Sequence, residues 1–205
     1  MLENEIVIFG CGGHARSIVN VIRKTYEKKT IVLVDENVEM GEIILGCNTE
    51  RRHDLCEKEA FIVAVGDNEK RKKIYFELKE KQKGHCVSIV ASSSSIGANV
   101  EIGQGTFVAE NTYLGPLVKV GNNTIINTGS IIEHETVIGD HSHVAPNATV
   151  CGRTKLGNNV FCGAGSTIID NISICDDVVI GAGAVVIGNI VESGMYVGIP
   201  AKRIS

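Results

Sequence analysis

Tryptophan is absent from this 205-residue chain, and Phe and Tyr together supply only 4% of it. With 43% hydrophobic residues, its core must be built from Ile, Val, Leu and Ala rather than from rings. The shortage of rings argues against binding single-stranded nucleic acid, which needs aromatic platforms for base stacking. A formal net charge of −4 argues against a phosphate-backbone footprint. No run of 18 apolar residues occurs, so no membrane span is expected. The opening Met1-Leu2-Glu3-Asn4-Glu5 is acidic and unlike a secretory signal. The 7 Cys are scattered and form no C-x-x-C pair, which suits a reducing cytoplasm better than a disulfide framework or a zinc site.

Charge is also scarce in one half. Residues 1–89 hold 15 Lys/Arg, 15 Asp/Glu and 7 Gly, whereas residues 90–205 hold 5 Lys/Arg, 9 Asp/Glu and 16 Gly. That shift predicts two architectures, and the length allows two small domains. In the first, Glu5–Phe9 reads as a buried strand, followed by Gly10-Cys11-Gly12-Gly13 and a helix over His14–Lys24 with Ala15, Ile18, Val19 and Ile22 on one face. Further strands are expected at Ile31–Val34, Phe61–Val65 and Cys86–Val90, with a helix over Glu69–Lys83. The alternation predicts a small parallel α/β sheet.

The second part is periodic. From Val90 to Val186, every sixth residue is Ile, Val or Leu in 16 of 17 hexads, and Cys162 is the exception. Four residues after each comes a small or β-branched side chain, from Ser94 to Ile190. A period of six fits neither a helix face nor simple strand alternation. It fits short strands joined by turns and wound into a parallel β-helix. With three hexads per coil the array makes between five and six coils, a column about 27 Å tall at the usual strand spacing. The period does not give the handedness of the winding.

The hexad array, ending in Tyr196-Val197-Gly198-Ile199-Pro200-Ala201-Lys202, resembles the hexapeptide-repeat acyltransferases. The segments IVIFGCGGHARSIVNVI (6–22), AVGDNEKRKKIY (64–75) and IIEHETVIGDHSHVAP (131–146) are similar to bacterial sugar O- and N-acetyltransferases grouped with sialic-acid O-acetyltransferases. Within that group the subgroup acting on nucleotide-linked 4-amino-4,6-dideoxyhexoses is the best match. The resemblance implies a Rossmann-like nucleotide-sugar-binding domain (1–89) and a left-handed β-helix acetyltransferase domain with a C-terminal tail (90–205). It also implies a homotrimer, acetyl-CoA as co-substrate and no metal.

Gly10-x-Gly12-x-x-Ala15 with Asp35 downstream matches a dinucleotide-binding fingerprint. An NAD enzyme is one reading, although no hydride-transfer domain follows. Close strand–helix packing is another. The resemblance instead puts a nucleotide sugar here, with Gly12, Gly13 and the helix start at His14 near the pyrophosphate. Asp35 and Asn68 then lie near the nucleotide or sugar.

Glu133-His134-Glu135 places His134 at the third hexad position, which is free of core duty. Histidine titrates near pH 6.5, suiting proton removal from an attacking ammonium, and a neighbouring carboxylate can orient its ring. The resemblance makes His134 the general base, with Glu135 or Glu133 as its partner and Asn127 in the same pocket. It places His143 and Gly152 in the acetyl-CoA groove, Gly181 and Ala182 beside the pantetheine arm, and Lys202 and Arg203 near the CoA phosphates. His141 is expected on a surface turn, Lys70–Lys73 on a helix surface, and the spacing of His134, His141 and His143 matches no zinc pattern. No nucleophilic Ser or Cys is apparent, so transfer is expected to be direct. O-acetylation of sialic acid is the alternative acceptor chemistry, and a non-catalytic β-helix scaffold is the alternative outside enzymology.

Overall fold

The computed structural model describes residues 5–26, 29–39, 41–51, 59–81 and 84–205. The expected strand–helix alternation forms a six-stranded sheet of β1 (Glu5–Phe9), β2 (Thr30–Val34), β3 (Ile43–Ile44), β4 (Cys47–Glu50), β5 (Ala60–Val63) and β6 (His85–Cys86), in the order β3-β4-β2-β1-β5-β6. All pairings are parallel except the β3–β4 hairpin, which turns through Leu45 and Gly46, both at positive φ. That hairpin carries no alternating pattern and was not read from the sequence.

Helix α1 (Gly13–Thr25) buries Ala15, Ile18, Val19, Val21 and Ile22. Helix α2 (Asn68–Glu80) starts at Asp67, whose carboxylate accepts the Lys70 N–H at 2.9 Å, an N-cap that fixes where the helix begins. Residues 82–83 of the longer helix expected here, the Met1–Asn4 segment and Cys56 lie outside the described residues.

The strand expected at Cys86–Val90 is two strands. β6 pairs with β5 in the α/β sheet, whereas Ile89–Val90 pairs with Phe107–Val108 as the first strand of the column. The backbone leaves one sheet and enters another across Val87-Ser88, so no single pairing runs through the segment.

From Ile89 onward the hexads form two-residue strands on three faces, with residues 18 apart paired in parallel. The first face runs from Ile89–Val90 to Val178–Ile180, the second from Ser95–Ile96 to Val185–Val186 and the third from Glu101–Ile102 to Ser173–Ile174. The repeat aliphatics fill the axis as one core from Val108 to Ile190. Each fully buried side chain contributes about 1.5–3 kcal/mol. Ile96 is 41% exposed because it lies in the first coil, with no coil beneath it.

The fifth hexad position turns inward, and its hydroxyls bond the backbone except at Ser166, whose buried Oγ has no partner. Thr106, Thr124, Thr136, Ser142 and Thr154 donate their hydroxyls to carbonyls 15 residues on, at the corner of the next coil. In fifteen consecutive hexads, from Asn99 to Gly183, the fourth position has positive φ. Eleven of these are Asn, Gly or Asp, the residues that tolerate the left-handed region. The other four are Leu117, Glu135, His141 and Arg153.

α1 lies between the α/β sheet and the column, since its buried face shares one core with Ile89, Phe107 and Ile125 of the first face. Lys24 and Asn20 of α1 reach Glu110 at 2.7 and 3.2 Å. Beyond the last hexads, Gly194–Val197 adds in parallel to Val178–Ile180, and Lys202–Arg203 returns antiparallel to it.

Candidate active site

His134 stands on the corner between the second and third faces, in a vertical file with Pro116 below and Gly152 above. The file follows from the 18-residue coil: Glu135 N–H bonds the Pro116 carbonyl and Arg153 N–H bonds that of His134. The His134 side chain is 46% exposed, and its Nδ1 lies 3.0 Å from Glu135 Oε2. A carboxylate only accepts, so Nδ1 carries the proton and the neutral ring has its lone pair on Nε2. Of the two flanking acids, Glu135 makes this bond. Glu135, like Leu117, is also held in the left-handed region without a side chain suited to it.

The ring lies against Gly152. A Cβ at residue 152 would fall 2.7 Å from both Cε1 and Nε2 of His134. Gly152, expected in the groove, thus provides the space that the imidazole occupies.

Asn127 and His143 form a separate group. Both belong to the first face, Asn127 just after the strand Ile125–Ile126 and His143 within the strand His143–Val144. Between Asn127 and His134 runs the second-face strand Ile131–Ile132, so one column places the two groups at different corners. Asn127 Nδ2 lies 3.1 Å from His143 Nε2, and His143 Nδ1 lies 3.2 Å from the Gly66 carbonyl. His143 is 8% exposed, and burial followed by the Arg71 charge pushes its pKa down to about 4.

His14, in the first turn of α1, packs edge-on to Phe107 at 5.2 Å and stands 6.5 Å from His143. Burial, then the proximity of His143 and Arg71, lowers it to about 3, and its Nε2 is buried without a hydrogen-bond partner. It is a neutral imidazole. It does not add positive charge to the helix start.

The glycine loop divides by role. Gly10 has φ +117, and a Cβ there would meet the Ala64 carbonyl oxygen at 2.7 Å, so this glycine serves the fold. At Gly12 and Gly13 a Cβ would meet nothing within 4 Å, leaving open space over the helix N-terminus. Asp35 accepts from Cys11 N–H at 3.1 Å and from Asn37 N–H at 3.0 Å, which anchors the loop. Asp35 and Gly10 also line a cavity of about 600 Å³, with Lys70 and Lys73 of α2 on its far side. Asn68 is turned away from such a role: its amide oxygen accepts from Arg71 at 2.8 Å and its nitrogen reaches the Val160 carbonyl at 3.3 Å.

At the end of the column, Lys202 and Arg203 are exposed, and Arg203 donates to the Ser193 carbonyl at 3.0 Å. Ala182 is exposed, whereas a Cβ on Gly181 would lie 2.8 Å from Val197 Cγ1. Gly181 therefore accommodates the returning C-terminal strand. Among the described residues no cluster of three His, Cys, Asp or Glu could hold a metal ion, and no helix is long and apolar enough to cross a membrane.

Comparison with known proteins bears on this geometry. A model of the PglD N-terminal domain matches residues 5–78, and a model of the bacterial transferase hexapeptide matches residues 117–152, together more than half of the chain. No sequence match was found among curated proteins. The acetyltransferase domain of PglB from Neisseria gonorrhoeae in complex with acetyl coenzyme A superposes with a TM-score of 0.91 at 22% identity, over 98% of this chain and 99% of that one. WeeI from Acinetobacter baumannii gives 0.89 at 23% identity, over 97% and 99%. PerB from Caulobacter crescentus in complex with CoA and GDP-perosamine gives 0.85 at 27% identity, over 98% and 97%. The chain is a hexapeptide-repeat acetyltransferase.

Two features of this acetyltransferase correct the sequence reading. His141, expected on the surface, is 5% exposed, packed against the rings of Tyr75 and Phe76 and bonded through Nδ1 to Asn123 at 2.9 Å. Arg71, read as part of a charged helix surface, is 1% exposed. Lys70, Arg71, Lys72 and Lys73 look alike in sequence. Only the docking of α2 on the column distinguishes them.

Proposed function

We propose that this acetyltransferase moves the acetyl group of acetyl-CoA directly onto the amino group of a nucleotide-linked amino sugar. The carrying observation is the His134–Glu135 pair: an exposed imidazole with its proton on the carboxylate side and its Nε2 lone pair free. An amine near neutral pH is mostly protonated, and removing that proton exposes the nucleophile that attacks the thioester. Glu135 then bears the opposite charge beside the imidazolium. Catalysis rests otherwise on holding amine and thioester together.

The nucleotide end is read in the cavity beside Gly10 and Asp35, where Lys70 and Lys73 supply charge complementary to phosphate and Gly12 and Gly13 leave the backbone open. PerB, at 27% identity, was solved with CoA and GDP-perosamine, which supports a nucleotide sugar as acceptor. Acetyl-CoA is read along the column past Asn127 and His143, with Lys202 and Arg203 toward its phosphates.

We read the working unit as a homotrimer. His134 and the Asn127–His143 group stand at different corners of one column, so a second copy is needed to set one beside the other. Exposed Tyr113, Leu117, Ile131 and Val137 cluster around the His134 corner and supply apolar surface for that contact. The six described cysteines are unpaired, which fits the cytoplasm, and neither nucleic acid nor membrane insertion enters the reading.

The test is a panel of UDP- and GDP-linked amino sugars with free sialic acid as control, assayed for CoA release. Turnover of an amino-sugar nucleotide, lost in His134→Ala with acetyl-CoA affinity retained, is the expected result. Turnover of sialic acid alone would move the acceptor to a hydroxyl, and near-normal activity of His134→Ala would overturn the mechanism.

A further inference from the structure

Arg71 is the largest fully buried side chain of the described residues, and it has no carboxylate in hydrogen-bond contact. Its Nε donates to the Asn123 carbonyl at 2.9 Å. One terminal nitrogen reaches the carbonyls of Val65 and Gly66 at 3.1 and 3.2 Å. The other reaches Asn68 Oδ1 at 2.8 Å and the carbonyls of His141 and Ser142 at 2.7 and 3.1 Å. Desolvating a guanidinium that has only the charge of Asp67 nearby and no carboxylate bonded to it is expensive, and a hydrophobic residue of similar volume would tie α2 to the column at lower cost. What the guanidinium adds is the ability to gather oxygen atoms from two segments remote in sequence.

Those oxygens converge on one residue. His141 and Ser142 are the two residues immediately before His143, and Gly66 supplies the carbonyl to which the His143 ring bonds. We propose that Arg71 is the positioning residue of His143, fixing both the backbone that carries the imidazole and the carbonyl that orients it. The polarity of the ring follows. A carbonyl only accepts, so Nδ1 must carry a proton toward Gly66. Asn127 Oδ1 accepts the Thr128 N–H at 2.8 Å, which turns its NH₂ toward His143, so Nε2 must accept. The result is a single neutral tautomer with the proton on Nδ1.

The groups facing this ring agree with that state. His14 stands on the α1 side, Arg71 on the α2 side, and Asn127 and Phe161 on the neighbouring coils, with no carboxylate hydrogen-bonded to it. A second proton would meet the Arg71 charge and lose the Asn127 bond. Arg71 therefore presents His143 as an uncharged group to whatever lies along the first face.

The functional half of the proposal rests on the reading of His143 as part of the acetyl-CoA groove, and two measurements separate them. ¹⁵N-imidazole spectra of the whole protein, with His143→Asn to assign the signal, should show one Nδ1–H tautomer in the native chain. In Arg71→Lys and Arg71→Met that signal should give way to a mixture of tautomers or to imidazolium. Unchanged His143 signals in folded variants overturn the proposal, and failure of both variants to fold assigns Arg71 to stability and overturns it too.

The second measurement is a double-mutant cycle on kcat/KM for CoA release. Arg71→Lys should cost about tenfold or more in the native background and less than about twofold in His143→Ala. Equal losses in both backgrounds mark a general structural role and overturn the positioning argument. If the tautomer changes as expected but His143→Ala retains full turnover, the groove reading fails while the positioning stands.

Discussion

Gly152 lies one coil above His134, and its missing side chain is where the imidazole edge rests, 2.7 Å from the place a Cβ would take. The repeat does not require glycine there: the equivalent position one coil below His134 is Pro116 and one coil above Gly152 is Asp170. Gly152→Ala should therefore leave the column intact and push the ring away from Glu135. Displacements of about 1 Å at a reacting group cost on the order of 100-fold. The expected outcome is a 10–100-fold lower kcat with a melting temperature close to that of the native chain, measured by CoA release and thermal melting. Unchanged kcat would remove His134 from the reaction.

Glu135 and Leu117 are neighbours in one file of left-handed residues on the same corner, and both are poorly suited to it. Asparagine is the repeat's own solution, so Leu117→Asn and Glu135→Asn should each stabilise the fold by about 1 kcal/mol. In a chain of this size that is about 2–4 °C in melting temperature. The two should separate on activity: Glu135→Asn loses turnover because the imidazole loses its carboxylate, and a chain that gains stability while losing kcat shows strain retained for chemistry. Thermal melting and initial rates on both variants check this.

Acidification should destabilise the fold through its buried histidines. Folded His14 and His143 titrate at about 3 and about 4, below the ordinary 6.5, chiefly because burial disfavours the charged ring. Between about pH 6.5 and 4 the unfolded chain binds protons that the folded chain refuses. Stability is therefore complete above that window and falls as pH drops through it, by about 1.4 kcal/mol per pH unit for each ring. Urea unfolding at pH 7 and pH 5 measures the slope, and His143→Asn, which cannot titrate, should flatten it.

If the working unit is a trimer joined at the exposed second face, a charge there should separate it. Ile131 is 39% exposed in the single chain and adjoins the His134 corner. Ile131→Glu should shift the protein to monomer in sedimentation experiments and abolish turnover, while the column, whose axis residue is Ile132, stays folded. A trimer unaffected by Ile131→Glu would place the interface elsewhere.

The periodic part of this protein was legible almost residue by residue. The inward file from Val108 to Val186, the hydroxyls at the fifth position and the number of coils all follow from a pattern that repeats locally. His134 was legible for the same reason, because a histidine at a position without core duty stands out against the repeat. The β3–β4 hairpin was not, since Cys47–Glu50 pairs as an edge strand without hydrophobic alternation. Cys86–Val90 read as one strand because periodicity cannot tell which of two sheets supplies the partner.

The sequence by itself determined the column, because each hexad specifies its own inward residue and its own turn, and stacking then follows with no further information. Only the tertiary structure decided which polar groups meet. The 18-residue coil brought Gly152 against the His134 ring from the coil above, and the docking of α2 turned Arg71 inward while its neighbours Lys70 and Lys73 lined a cavity. It also buried His141 behind Tyr75 and Phe76, and set Asn127 and His143 at a different corner from His134. Burial and charge at Arg71 and His141 depend on surfaces that come from more than 50 residues away in the chain, and a local pattern carries no record of them.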